Sequence, residues 1–299
     1  MKFGLQLPIQ AQSTLMAKPW EASAGPAELQ RVAQACDAAG FDYVGVCDHV
    51  AIPQELAPRM GTTWYDTVAT LGWLAALTER VRLLSHVYVV PYRHPLATAK
   101  AFATLDHLSG GRAILGVGVG HVEQEFEALG IPYSRRGAIT DDHLPQIRSA
   151  LRDEWGAGDV GQRPRPARPE GPPIWVGGSS DAALRRAARF GDGWLPQGPP
   201  PGGTPRAVAV LREHREHAGA SMDGFAVGGG LSCYLGTPAA SLPEHVVAGP
   251  ADRVAESVGE LADEGVTHVQ VRFETGSCDE LVDQIGRFGE SIVDRGRDG

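Results

Sequence analysis

Val81-Arg82-Leu83-Leu84-Ser85-His86-Val87-Tyr88-Val89-Val90 is followed by Pro95-Leu96-Ala97-Thr98-Ala99-Lys100-Ala101-Phe102-Ala103-Thr104-Leu105-Asp106-His107-Leu108. Ser109-Gly110-Gly111 comes next, and then Arg112-Ala113-Ile114-Leu115-Gly116-Val117. The first and last runs are β-branched and apolar, which suits buried strands. The middle run opens on proline, whose fixed φ and missing N–H suit a first helical turn, and Ser-Gly-Gly turns the chain. A helix that carries the chain back to the same end of a sheet makes the strands on either side of it parallel.

The unit recurs in both directions. Upstream, the pattern predicts a strand at Lys2–Leu7 and a helix at Pro26–Ala39 with Leu29, Val32, Ala33 and Cys36 on its apolar face. A strand at Tyr43–Cys47 and a helix at Tyr65–Thr78 follow. Downstream, helices are expected at Val122–Leu129 and Asp141–Glu154, and residues 156–173 form a Pro/Gly/Arg-rich excursion without period. Strands at Ile174–Val176, Trp194-Leu195, Phe225–Leu235 and Thr267–Phe273 then alternate with helices at Ser180–Phe190, Thr204–Ala218, Pro250–Glu264 and Ser277–Asp294. Eight strands, each followed by helical material, predict one α/β domain over residues 1–299. Its expected form is a (β/α)8 TIM barrel with an irregular insertion at about 156–173, and an open doubly wound sheet is the competing arrangement.

The composition narrows the function. The chain has 36 acidic against 27 basic residues, a formal charge of −9, and only three of the bases are lysine. That balance argues against nucleic acid or an anionic membrane surface as partner and leaves a small molecule. Cys36, Cys47, Cys233 and Cys278 form no C-x-x-C pair, which points to reduced thiols in a cytoplasmic protein. The start, Met1 to Leu7, is too short and polar for a signal peptide, and the uncharged stretch near Thr67–Thr78 is too short to cross a bilayer.

In a barrel of this kind chemistry sits at the C-terminal ends of the strands. Strand two runs into Asp48-His49, a carboxylate beside a side chain able to trade a proton near neutral pH. Strand three carries His86, whose plain reading is a core histidine. Strand four ends in Gly116-Val117-Gly118-Val119-Gly120-His121, where His121 stands in place of the third glycine of a dinucleotide fingerprint. Those glycines would instead let a flat ligand approach the backbone, or merely ease a corner. Gly177-Gly178-Ser179-Ser180 before a helix offers free amides at a positive helix end, an anion site, although a serine N-cap alone would explain it. His214 and His217 read as a solvated helix face and Arg135-Arg136 as a surface pair. No metal-ligand spacing, G-x-S-x-G elbow or Walker loop is present.

Taken in order, Phe3-Gly4-Leu5-Gln6-Leu7-Pro8, Ala39-Gly40-Phe41-Asp42 with Asp48-His49, and Pro91-Tyr92-Arg93-His94-Pro95 carry a further signal. So do Ala103 to Arg112, Leu115 to Gly120, Glu125-Phe126-Glu127-Ala128-Leu129-Gly130, Pro173 to Gly178 and Gly191-Asp192-Gly193-Trp194. This ordered set resembles the bacterial luciferase-like oxidoreductases, in particular the branch that uses the deazaflavin coenzyme F420, over about residues 1 to 200. The resemblance implies an isoalloxazine-like ring at the barrel mouth and a non-prolyl cis peptide falling on His86-Val87, which would back the ring. It also implies a phosphate on Gly177, Gly178, Ser179 and Ser180, further cofactor contacts from Gly118 and Gly120, and homodimers among relatives. His49, with His121 second, would handle the proton, and Asp48 would orient the group. The implied reaction is hydride transfer between F420 and an organic substrate; an FMN-dependent monooxygenase and a non-catalytic cofactor-binding relative are the alternatives. Two departures count against a sugar-phosphate dehydrogenase: His121 replaces that branch's glutamate, and residues 195–200 lack its basic residue.

Overall fold

A computed structural model describes residues 1–294 apart from 15, 157, 239 and 240. The strands are β1 (Lys2–Gln6), β2 (Tyr43–Val46), β3 (Arg82–Ser85), β4 (Tyr88–Val89), β5 (Ala113–Gly118), β6 (Ile174–Gly177), β7 (Gly193–Leu195), β8 (Ala226–Leu235), β9 (Val247–Gly249) and β10 (His268–Phe273). The helices are α1 (Pro26–Ala38), α2 (Ala57–Met60), α3 (Thr67–Leu77), α4 (Pro95–Leu108), α5 (Glu123–Ala128), α6 (Arg136–Arg152), α7 (Asp181–Phe190), α8 (Gly203–His217), α9 (Ala251–Asp263) and α10 (Cys278–Phe288).

All strand pairs are parallel and the ring closes: β10 pairs β8 on one side and β1 on the other, with Phe3 opposite Val269 and Gly229 opposite Val269. The eight staves are β1, β2, β3 with β4, β5, β6, β7, β8 and β10, so the predicted TIM barrel forms. Its strands are buried on both faces, which is why β5 reads as a nearly unbroken apolar run. Outward residues such as Val44, Leu83, Leu115 and Val269 join the helices in the main core. Inward residues Tyr43, Leu84, Ile114, Trp175, Leu195 and Ala226 plug the barrel below its mouth.

The structure departs from the pattern in four places. The run Val81–Val90 is two strands, not one, because the chain breaks between β3 and β4 at a cis His86–Val87 peptide and then turns through a 3-10 segment at Val90–Tyr92. Helix α6 begins at Arg136 rather than Asp141; Gly137 disguises that first turn, which the Arg136 guanidinium helps hold over the Tyr133 ring at 3.8 Å. The short β9 and α2 have too few residues to show a period. The last helix stops at Phe288 and continues as a wider π turn, Gly289–Val293. Residues 158–173 hold no helix or strand. They are tied to the outer layer, where Arg168 and the Ala167 amide meet the buried Asp106 of α4 and Arg165 caps the last carbonyls of α6.

Candidate functional site

The C-terminal ends of β1 to β7 surround a cavity of about 740 Å³, within the ~300–1,000 Å³ range of small-molecule sites. Asp48, His49, His86, Val87, Gly118, Gly120, His121, Gly177 and Gly178 all line it, so nine of the predicted positions converge. Ser179 and Ser180 lie outside that lining.

His49 leaves the end of β2 and is held from three sides. Its Nδ1 lies 2.8 Å from Oε2 of Glu125, its ring packs edge-on to Trp64 at 4.3 Å, and His121 stands 5.6 Å away at nearly a right angle. Glu125, on α5, is fully buried and also accepts from the Val50 amide (2.5 Å), the Ala51 amide (3.1 Å) and the Tyr92 hydroxyl (2.8 Å). Burial pushes this carboxyl's pKa up, but the His49 hydrogen bond and charge, the Tyr92 hydroxyl and the Val50 amide outweigh it, and the pKa is lowered. An ionised Glu125 fixes His49 with Nδ1–H donated inward, which leaves Nε2 as the nitrogen for the cavity. His121, at the solvent edge, has its pKa lowered by the packing round its ring and then by neighbouring His49.

Asp48 does not orient His49. Its carboxylate accepts both Arg93 Nη atoms (2.6 and 2.8 Å), the Val89 amide and the Thr67 hydroxyl, so it ties the end of β2 to β4. Glu125 takes the orienting place that the sequence reading gave to Asp48. It opens one of the stretches that carry the family resemblance, Glu125 to Gly130, but nothing among the three glutamates of Glu123-Gln124-Glu125-Phe126-Glu127 marks it as the partner of His49. Trp64 was missed for a similar reason, since it stands in an irregular loop.

Two of the glycines make room for a neighbouring side chain. A methyl at Gly118 would stand 2.5 Å from Val87 Cγ2, and one at Gly177 would stand 2.7 Å from Cγ1. The pair therefore seats Val87, whose half-buried side chain forms part of the cavity wall. Gly118→Ala is expected to lower stability by about 1–3 kcal/mol through overpacking. Adding Val87→Ala should return most of that loss, and urea unfolding of the single and double variants measures it; equal midpoints with and without Val87→Ala would refute the seat.

The serine hydroxyls are already engaged. Ser179 Oγ donates to the Gly198 carbonyl and accepts from the Gln197 amide, while Ser180 caps α7 by accepting from the Ala183 amide. The Gly178 amide is bonded to the Leu195 carbonyl. These groups are engaged within the fold, so of the predicted anion site the backbone beyond Gly178 is the part that stays open. The amides of Ser179 and Ser180 keep no partner among the described residues.

His86 is buried, its Nε2 3.1 Å from the Gln197 side-chain amide, and burial lowers its pKa to about 4. His268, on the inward face of β10, is likewise lowered to about 4, by burial above all. Both stay neutral in the folded chain while the unfolded chain protonates near pH 6.5, so stability is level above that pH and falls as pH drops from 6.5 to 4. Each contributes at most about 3 kcal/mol across that window. Glu125, lowered instead, loses its contribution only below about 4.5. Urea midpoints at pH 7 and pH 5 should differ less in His86→Asn than in the wild type; an unchanged difference would place the acid sensitivity elsewhere.

Residues 1–248 match the luciferase-like monooxygenase family. The chain belongs to that family. It is 32% identical over 225 residues to an uncharacterized protein of Mycobacterium tuberculosis (strain ATCC 25618 / H37Rv), covering 66% of this chain and 78% of the other. The fold is shared with the coenzyme F420 dependent tetrahydromethanopterin reductase from Methanopyrus kandleri (TM-score 0.75, 19% identity, 98% and 99% covered). It is also shared with the monooxygenase RslO1 from Streptomyces bottropensis (TM-score 0.80, 22% identity, 99% and 100% covered). Luciferase-like members are oxidoreductases or monooxygenases. No described helix is long and apolar enough to cross a membrane.

Proposed function

We propose that this luciferase-like protein is an F420-dependent oxidoreductase that moves a hydride between a deazaflavin and an organic small molecule. One observation carries the reading: His49 is locked by a buried carboxylate at the mouth of the barrel, beside a cavity wide enough for a tricyclic ring. The bound deazaflavin would supply the carbon that gives or takes the hydride. His49 would hold or accept the accompanying proton at Nε2, and Glu125 would balance the charge on the imidazole. His121 would be a second proton-handling group at the rim. Val87 on its glycine seat and His86 would back the ring, and Asp48, Gly118 and Gly120 would shape its surround. A phosphate leaving past Gly177 and Gly178 would have the backbone amides of Ser179 and Ser180 to meet it rather than their hydroxyls. The four free thiols suit the reducing cytoplasm.

The likeness to RslO1 favours a second reading, an FMN-dependent monooxygenase. Titrating the purified protein with F420 and with FMN, followed by fluorescence, separates the two. F420 binding with little FMN binding is the expected result; tight FMN binding with none of the deazaflavin would overturn it.

A further inference from the structure

We propose that the β8–β10 side of the barrel mouth is a second ligand chamber, and that Arg272 there recognises a carboxylate or phosphate group. A separate cavity of about 570 Å³ opens where β7 stops at Leu195 while β8 runs on to Leu235, and Arg272, Gln270, Tyr43 and His86 line it. His86, hydrogen-bonded to Gln197, stands between this chamber and the His49 cavity and lines both.

Arg272 belongs to the inward face of β10. Val269, Val271 and Phe273 pack outward into the core, whereas His268 meets the inward Trp175 edge-on at 4.9 Å and Gln270 donates to Gln6 on the neighbouring β1. The guanidinium makes no ion pair among the described residues. The carboxylates that could neutralise it are engaged elsewhere. Glu274 pairs with Lys18, Glu21 accepts from the Ile9 and Lys18 amides, and Asp48 is held by Arg93. Glu264 and His245 also line the chamber, but Glu264 precedes the start of β10, so the whole run from His268 to Arg272, about 13 Å of strand, separates the two charges along the chain.

Two buried polar atoms add to the case. Tyr43 Oη and His86 Nδ1 have no partner among the described residues, although buried polar groups are nearly always satisfied. Both residues are more than nine-tenths buried. An unneutralised guanidinium with an unpartnered phenol and imidazole around one cavity suits a ligand that carries an anion and further acceptor atoms.

The source of the anion is either the substrate or the cofactor, and the test separates them. Calorimetric titration of the cofactor-free protein uses benzoate, inorganic phosphate and the neutral probe benzamide. At least one anion is expected to bind tenfold or more tightly than benzamide, to weaken as salt is raised, and to lose that advantage in Arg272→Gln. Arg272→Lys, which keeps the charge, should retain part of it. Repeating the anion titration with saturating FMN or F420 assigns the source: simultaneous binding gives the chamber to a substrate anion, and competition gives it to the cofactor's. Either result upholds the chamber. Equal affinity for anions and benzamide, no anion binding, or unchanged anion binding in a folded Arg272→Gln would overturn it. Because the first titration contains no cofactor, its failure is separate from failure of the hydride-transfer reading.

Discussion

His49→Ala is expected to lower kcat by about 10²–10⁴, the usual worth of a positioned acid or base, while changing the dissociation constant for the cofactor by less than about threefold. The reason is geometric. The imidazole enters the cavity with one nitrogen committed to Glu125, and Nε2 is left for a reacting proton. Alanine removes that nitrogen without touching Val87, Gly118 or Gly177, which shape the opposite part of the lining. The measurement needs a substrate, found by screening alcohols, ketones and enones against the bound cofactor, and then single-turnover rates beside equilibrium binding. Glu125→Gln should act through His49. A loss of about 10–100-fold in kcat with little change in KM is expected, typical for a group that orients a functional histidine. In the double variant the losses should not multiply, because with the imidazole gone Glu125 has nothing left to orient. A His49→Ala enzyme with undiminished turnover would give proton handling to His121 or to solvent.

The parts of this protein that repeat were legible in the sequence, and the parts that occur once were not. The strand–helix alternation predicts every stave of the barrel because burial imposes apolar or β-branched residues on each strand, continuous in β5 and alternating in β10. Nine of the positions named from the sequence line one cavity, since strand ends are fixed by the same pattern. What escaped was partner choice. Asp48 and Glu125 are both carboxylates within reach of the mouth, and only the folded path of α5 decides that Glu125 meets His49 while Asp48 meets Arg93. The serines after β6 have the composition of an anion site. The α7 N-cap and the loop bearing Gln197 and Gly198 claim their hydroxyls first, a competition that no spacing records. Gly118 and Gly177 read as room for a ligand, and both positions also make room for Val87, which lies between β3 and β4, more than thirty residues earlier than the nearer of the two.

Arg93→Met should destabilise the fold by about 3–5 kcal/mol, the cost of stranding a buried carboxylate, and so lower the melting temperature by roughly 6–15 °C. Asp48 is nearly inaccessible, whereas the Arg93 side chain keeps about a fifth of its surface and lies over the Tyr88 ring at 4.2 Å. Removing the guanidinium deletes two charge-assisted bonds at once, and the Val89 amide and Thr67 hydroxyl are too few to solvate the charge that remains. Asp48→Asn in the same chain takes that charge away, so the double variant should be more stable than Arg93→Met alone. That reversal of sign distinguishes a stranded charge from simple loss of packing over Tyr88. If the double variant instead melts at or below the single one, packing over Tyr88 dominates. Because Asp48 fastens the end of β2 to Val89 of β4, the same variant should also loosen the wall that bears His49 and weaken cofactor binding along with stability. His49→Ala, which leaves that tie intact, should separate the two effects.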